Sequence, residues 1–354
     1  MPIDKTTMLR TFFLLLNIGS ALLLTFTYVI PYINPLEIRK IPLLGLFYPV
    51  LILTNLIFIL GWFFTKTNRR YALLSLAAIL IGSQHWSSMI GTSYFNTSTN
   101  TLTDKTTISS YNIKNFDDIA IGNRQFQPEA VKNIIKHLGD SQYLCAQEVD
   151  YDCHMMLLKE LEFPHSFGNK GTMIFSKTPF LKTGQIDFDN SVNSCSWADV
   201  PLNDKIVRLY NVHLESNRIT KAANVIVNRK KHNFIEIVHL LKNMFVQYAY
   251  RSRKRVEQSD KILQHISESP YPVIVCGDFN DSPISYIYNR FTDQLTDGFT
   301  KQGKGLGFSF RGNIPFLRID YILADNRLHF QNYQTVKALT YSDHFPVTAD
   351  ISLP

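Results

Sequence analysis

Six short polar boxes carry the residue types that hydrolysis of a phosphoester demands. They are Asn112 in SSYNIKNF, Glu148 in CAQEVD, NVHL at 211–214, GDFND at 277–281, RIDYI at 318–322 and SDHFPV at 342–347. Breaking such a bond requires neutralised charge on the phosphoryl oxygens, an activated water in line with the leaving group, and a stabilised departing oxygen. Glu148 offers a hard carboxylate to a divalent cation, and Asn112 can add an amide oxygen or position that carboxylate. Oxygen ligands without thiolates point to Mg²⁺, with Mn²⁺ as a substitute. Asp278 is the candidate for orienting and deprotonating the water. Asn280, two residues on, faces the same side of an extended chain and would hold a phosphoryl oxygen. Asp281 then points away and caps the turn at Ser282 and Pro283. His344 would contact the phosphate or protonate the leaving oxygen.

Each box also has a bland reading: Asn112 closing a turn, Glu148 capping a helix, His213 as a satisfied structural histidine. Their common placement decides between the two. Every box follows or ends an apolar, β-rich run such as VIVC at 273–276, so the polar side chains sit at strand ends that converge on a cleft. The runs fall at 107–112, 143–149, 172–176, 195–200, 206–213, 273–278, 318–323 and 345–351, with a hairpin expected around Asn203 and Asp204. Pro128 to Leu138 reads as a helix, with Pro at its first position, Gly139 after its end and Val131, Ile134, Ile135 and Leu138 at core spacing. A second helix is expected over Asp152 to Leu161.

In this order the boxes resemble the endonuclease/exonuclease/phosphatase superfamily, which includes DNase I-like nucleases, abasic-site endonucleases, inositol polyphosphate phosphatases and neutral sphingomyelinases. The resemblance covers residues 106–354, with GDFND and SDH nearly intact. It implies an α/β fold, a four-layer sandwich of two mostly antiparallel β-sheets flanked by helices. It pairs His344 with Asp320, whose carboxylate would fix the ring tautomer and raise its pKa. It makes His213 and Asn211 a histidine and amide beside the phosphate, and Asp343 a further metal ligand. Some nucleases of the family carry an acid two positions after the asparagine; Lys114 stands there, which favours a single-metal site.

Ahead of this domain the composition is apolar. Residues 8–30, Ile41 to Phe64 and Tyr71 to about Tyr94 read as three transmembrane α-helices, each long enough for a hydrocarbon layer of roughly 30 Å. The division is a membrane domain over 1–95, a Thr- and Asn-rich linker over 96–105 and a catalytic domain over 106–354. Lys5 and Arg10 precede the first span, and Lys66, Arg69 and Arg70 fill the second loop, which places both on the cytoplasmic side. Three spans then make this a multi-pass protein of the plasma (inner) membrane with an extracytoplasmic catalytic domain.

The four cysteines (Cys145, Cys153, Cys195, Cys276) are too few and too scattered for a disulfide framework or a CxxC metal site. The net charge of +7 does not by itself imply nucleic acid, because part of it flanks the apolar spans and part lies between residues 229 and 261. The stretch from Thr220 to His265 reads as a basic amphipathic helix, with Val227, Phe234, Val238, Leu241, Met244 and Phe245 on one face. Three readings stand for it: a packed helix with a solvated basic face, contact with anionic lipid headgroups, or a grip on a nucleic-acid backbone.

The expectation is a membrane-anchored, divalent-metal-dependent phosphohydrolase whose phosphorylated substrate is a membrane lipid or lipid-linked pyrophosphate. The order of spans and domain resembles membrane-anchored family members associated with glycopeptide resistance, which implies polyprenyl pyrophosphate. The alternatives are an extracytoplasmic endonuclease or exonuclease acting on nucleic acid, and a non-catalytic sensor of phosphate ligands.

Overall fold

The computed structural model describes residues 4–39, 41–65, 68–93, 105–121, 125–169, 171–189, 191–217, 234–312 and 314–353. Most of the expected linker (96–104), Lys66, and the start of the basic helix with Val227 and residues 229–231 lie outside them, as do the side chains of Phe234 and Leu241.

The β-rich runs assemble two six-stranded sheets. The first has the order β13-β14-β2-β3-β5-β4, from β2 (Thr106–Asn112), β3 (Tyr143–Gln147), β4 (His165–Asn169), β5 (Thr172–Ser176), β13 (His329–Thr335) and β14 (Val347–Ser352). The second has the order β10-β12-β9-β8-β7-β6, from β6 (Lys182–Asp187), β7 (Ser194–Leu202), β8 (Lys205–His213), β9 (Val273–Asp278), β10 (Leu295–Asp297) and β12 (Asp320–Asp325). Both sheets are mixed, and the pattern is the same in each: a central parallel pair, β2 with β3 and β8 with β9, flanked on both sides by antiparallel neighbours. The two halves therefore match in topology, a likeness the residue sequence does not display.

Ile108, Cys145 and Ile174 of the first sheet meet Leu209, Ile274, Cys276 and Ile322 of the second in a fully buried core. All four cysteines are free and buried there or beneath the helices. Helices α4 (Pro128–Leu138) and α5 (Tyr151–Glu160) cover the outer face of the first sheet. The second is covered by α6 (Phe234–Ser267) and α7 (Tyr286–Thr292), with the one-turn α8 (Gly298–Gln302) at its edge. The helix over 128–138 has the expected bounds, and the hairpin closes at Asn203, whose φ of 53° is the left-handed value a tight turn needs. Strands β4, β6, β10 and β13 escaped sequence reading because their faces are only partly buried or the runs are short.

The N-terminal region departs from the expectation. α1 (Lys5–Thr27) and α2 (Tyr48–Phe63) belong to stretches long and apolar enough to cross a membrane. The third expected span does not form as one: α3 (Ala72–Ile81) has 10 residues, about 15 Å at the helical rise, because Gly82 and the polar Ser83, Gln84 and His85 break it into a 3₁₀ turn. It packs beside the other two, with Asn17 Nδ2 donating to Ser75 Oγ (2.6 Å) and Tyr28 OH to the Ala78 carbonyl (2.9 Å).

This bundle is built inside out. The buried face of α1 is Asn17, Ser20, Ala21, Leu24 and Thr27, while Leu15, Leu16, Leu22 and Leu23 face outward. Inside, Trp62 Nε1 donates to Asn17 Oδ1 (2.9 Å) and Asn55 Nδ2 to Ser20 Oγ (2.9 Å). Small and polar groups within and leucines without is the arrangement suited to a hydrocarbon solvent.

The bundle also docks on the sheets. The 3₁₀ segment between α1 and α2 inserts Leu43 and Leu46 against Met244, Tyr248, Leu317 and Ile319. Ser282 Oγ donates to the Gly45 carbonyl (3.2 Å), Arg318 Nε to the Ser88 carbonyl (2.8 Å), and β1 (Ile90–Thr92) pairs antiparallel with β11 (Lys304–Leu306).

Candidate active site

The two parallel pairs explain why the polar boxes converge. Parallel neighbours end at the same side of a sheet, so Asn112 closes β2, Glu148 follows β3, His213 closes β8 and Asp278 closes β9. Antiparallel neighbours contribute their opposite ends to that side: Asp320 opens β12 in register with Asp278, and His344 precedes β14. The parallel register sets His213 beside Asp278. Gly277 permits this close approach: its φ is +140° and a Cβ there would lie 1.9 Å from the Val212 carbonyl oxygen.

The polar side chains line up across the cleft in two hydrogen-bonded groups, Glu148 with Asn112 and Asp278, and His344 with Asp320, 3.8 Å apart. Asn112 Nδ2 donates to Glu148 Oε1 (3.2 Å) and to Asp278 Oδ2 (3.0 Å). His344 Nε2 lies 3.8 Å from Asp278 Oδ2, and its Nδ1 lies 2.9 Å from Asp320 Oδ2. His213 Nε2 stands between the acids, 3.8 Å from Glu148 Oε1 and 3.9 Å from Asp278 Oδ2, buried and with no hydrogen-bond partner among the described residues. Asn280 donates its backbone N–H to Asp278 Oδ1 (2.8 Å) and its amide to Asp278 Oδ2 (3.1 Å). Glu148 (φ 53°) and Asn280 (φ 52°) both sit in the left-handed region, a strained backbone at the point where side chains must be aimed.

The charges are set by burial and by one another. Burial pushes the Asp278 carboxyl up to about 7, opposed by the attraction of His344. Burial alone would lower the His344 pKa, but the carboxylates of Asp320 and Asp278 outweigh it and hold the ring up at about 10. Burial lowers the pKa of His213, partly offset by Glu148. The cleft therefore presents one charged and one neutral imidazole at neutral pH.

Not every expected residue faces the cleft. Asn211 is spent on the core: its amide donates to the carbonyls of Ala146 (2.9 Å) and Met173 (2.7 Å), and its Oδ1 accepts from Gln147 Nε2 (2.6 Å). It ties the two sheets together two residues below His213, instead of touching a phosphate. Asp343 turns its carboxylate to Lys114 Nζ, 3.4 Å away at the rim. Asn112 donates to both acids and its Oδ1 accepts from the Lys114 N–H (3.2 Å), which gives it a positioning geometry.

Other groups support the site without having been read from the sequence. Ser342 Oγ donates to the Asn112 carbonyl (2.7 Å) and accepts from the His344 N–H (3.1 Å), and Ser309 Oγ accepts from the N–H of Asp320 (3.1 Å). Ser342 stands in the SDH box itself, where its position two residues before the histidine was the available signal. Asp281 caps Ser282 as expected (3.0 Å), and also takes Arg255 Nη2 (3.1 Å) and Tyr248 OH (2.9 Å). Arg255 is wholly buried and Arg251 nearly so, paired with Glu215, so part of the basic face of α6 points inward.

A carboxylate open to the cleft with an amide beside it suits a hard divalent cation, and Glu148, 41% exposed at its side chain, is such a group. Ligand atoms of Asp278, Asp320 and His344 also lie within 4.8 Å of one another. In that trio Asp320 takes Nδ1 of His344, which leaves Nε2 as the ring's remaining ligand atom.

A family model described as the Endonuclease/Exonuclease/phosphatase family matches residues 109–344, and one described as a domain of unknown function matches residues 10–89. Nocturnin from Rattus norvegicus is 28% identical over 156 residues, 42% of this chain and 34% of that protein. The chain thus spans about a third of the length of the curated relatives it matches. An endonuclease/exonuclease/phosphatase family protein from Bacteroides thetaiotaomicron superposes with a TM-score of 0.52 at 19% identity, over 71% of this chain and 98% of that one. A mannosyl-6-phosphatase from Bacteroides thetaiotaomicron VPI-5482 does so with a TM-score of 0.51 at 19% identity, over 70% of this chain and 100% of that one. At these identities the two structures speak for the fold.

Proposed function

Because the chain belongs to the endonuclease/exonuclease/phosphatase family, whose members hydrolyse phosphoesters, we propose that it is a membrane-anchored, metal-dependent phosphohydrolase acting on a lipid-linked phosphate. The observation that carries the chemistry is Nε2 of His213, without a hydrogen-bond partner among the described residues and set between Glu148 and Asp278 in a cleft that also holds the charged His344.

Glu148 would hold the divalent cation, Mg²⁺ with Mn²⁺ as substitute, which when bound neutralises charge on the phosphoryl oxygens. Asn112 fixes both Glu148 and Asp278 through its amide. Asp278, ionised above about pH 7, orients the attacking water and takes its proton. His213 steadies the phosphoryl group from the second sheet, while Asn280, expected to do the same, shares its amide between the Leu214 carbonyl (3.0 Å) and Asp278 (3.1 Å) and holds that carboxylate in place. His344, kept protonated by Asp320, faces the negative charge that develops and supplies a proton to the leaving oxygen. Asp343, engaged by Lys114, has no part in this scheme.

The lipid reading rests on where the bundle sits. Its inverted polarity suits a bilayer, and its docking segment reaches Ser282, four residues beyond Asp278. Lys5, Arg10, Arg69 and Arg70 lie at the end of the bundle away from this contact, which favours a cytoplasmic basic end and a catalytic domain on the outer face. The inward pairing of Arg251 and Arg255 removes two charges from any nucleic-acid surface.

The test is hydrolysis by the full chain in detergent with Mg²⁺, offered undecaprenyl pyrophosphate, dioleoyl phosphatidylcholine, sphingomyelin and plasmid DNA. Release of phosphate or headgroup from a lipid, lost in His344→Ala, is the expected result. Salt-sensitive nicking of the plasmid would make it a nuclease, and binding without turnover would make it a sensor.

A further inference from the structure

An apolar cleft of about 190 Å³ lies where α2 meets the catalytic domain, outside the catalytic cluster. One wall is Leu53 and Leu56, on the outward face of α2; the other is Leu306, at the end of β11, with Phe308 and Phe316 from the loop between β11 and β12. Leu53, Leu56 and Leu306 are each close to half exposed, so the cleft opens sideways onto the same apolar surface that the bundle presents all round. At its inner end stands Arg318, which is 1% exposed and whose Nη1 has no hydrogen-bond partner among the described residues.

We infer that this cleft seats the first part of the hydrocarbon chain of the lipid substrate while its phosphate lies among Glu148, Asp278 and His344. The inference rests on the lipid reading proposed above and adds the place where the lipid is recognised. Continuity favours this occupant in both directions. Outward, the Leu53 and Leu56 wall is part of the bilayer-facing surface, so a chain can enter from a leaflet without crossing water. Inward, the ring of Phe308 lies 6.0 Å from that of Phe345, the neighbour of His344, so one aromatic contact links the cleft's wall to the catalytic cluster.

Lys337 Nζ, 3.9 Å from the Phe308 ring centroid, donates to the Leu306 carbonyl (3.0 Å) and so ties together the two residues of that wall. The volume is below the roughly 300 Å³ of pockets that enclose a whole small ligand, which fits a chain only partly enclosed, its remainder left in the bilayer.

The experiment is a chain-length series. Isopentenyl, farnesyl and undecaprenyl pyrophosphate, and in parallel dihexanoyl and dioleoyl phosphatidylcholine, are hydrolysed by the full chain in detergent. The wild type is expected to favour the longer homologues by about tenfold or more in kcat/KM, the scale that burial of a few methylenes gives. Leu53→Trp and Leu306→Trp, which fill the cleft from opposite walls, should each cut that long-to-short ratio about tenfold, through KM. Because the ratio is taken within one preparation, loss of folded protein does not mimic the effect. Leu306→Ser serves as a milder third variant. A wild type indifferent to chain length, or inactive on both series, sinks the lipid reading itself. A wild-type preference that survives all three substitutions sinks the cleft alone.

Discussion

Nδ1 of His344 lies 2.9 Å from Oδ2 of Asp320, and both side chains are buried. Such a pair holds a positive ring where an isolated buried histidine would be neutral. With His344 pushed up to about 10 and Asp278 up to about 7, a reaction needing the first protonated and the second ionised should show a bell-shaped kcat/KM. Activity rises as Asp278 loses its proton near pH 7 and falls as His344 loses its own near pH 10. Asp320→Asn removes the anion that favours the charged ring, so the alkaline limb should move down by about a unit or more and the rate fall about 10²-fold. An alkaline limb that stays in place in that variant assigns the proton elsewhere.

Glu148 combines strain with function. Its left-handed backbone is one that glycine adopts freely and alanine does not, by about 1 kcal/mol. Glu148→Gly and Glu148→Ala should both lose about 10²-fold or more in turnover, yet the glycine variant should melt at the higher temperature. Equal melting temperatures would mean that the strain is relieved in solution.

Removing the cation should abolish turnover, with recovery on adding Mg²⁺ or Mn²⁺ and none with a thiophilic ion such as Cd²⁺ in its place. Asn112→Ala frees both acids from their shared amide. The half-saturating Mg²⁺ concentration should then rise about tenfold or more, a titration that activity against metal concentration reads directly. An unchanged metal dependence would remove Asn112 from its positioning role.

Arg255 is buried against Asp281, the last residue of the GDFND box. Arg255→Met leaves that carboxylate buried without its cation, at a cost of about 3 kcal/mol, whereas Arg255→Met with Asp281→Leu should recover most of the loss. Thermal melts of the two variants in one detergent decide it; a single variant as stable as the double would contradict the pairing.

The sequence displayed the ends of the strands better than their neighbours. Asn112, Glu148, His213, Asp278 and His344 could be found because a polar residue closing a buried β run has few structural reasons to be there. Asn211 misled because a period of two places it on the same face as His213; how deep each residue lies depends on the opposing sheet, whose Ala146 and Met173 carbonyls it satisfies. The third apolar run misled in the opposite way: hydropathy counts Tyr71 to Tyr94 as one stretch, while Gly82 and the polar residues after it end α3 at Ile81. The inward turn of Arg255 was hidden because helical spacing alone does not tell a solvated arginine from one that meets a buried aspartate 26 residues away in the chain.

Pairing of β1 with β11, together with the seating of Leu43 and Leu46 on Met244, Leu317 and Ile319, bears on how this protein can be handled. A fragment trimmed to begin near residue 105 would present a bare strand edge beside an uncovered greasy patch, the two features that drive self-association. Expression of the hydrolytic half by itself should therefore give aggregates, and the intact polypeptide is the natural unit for purification.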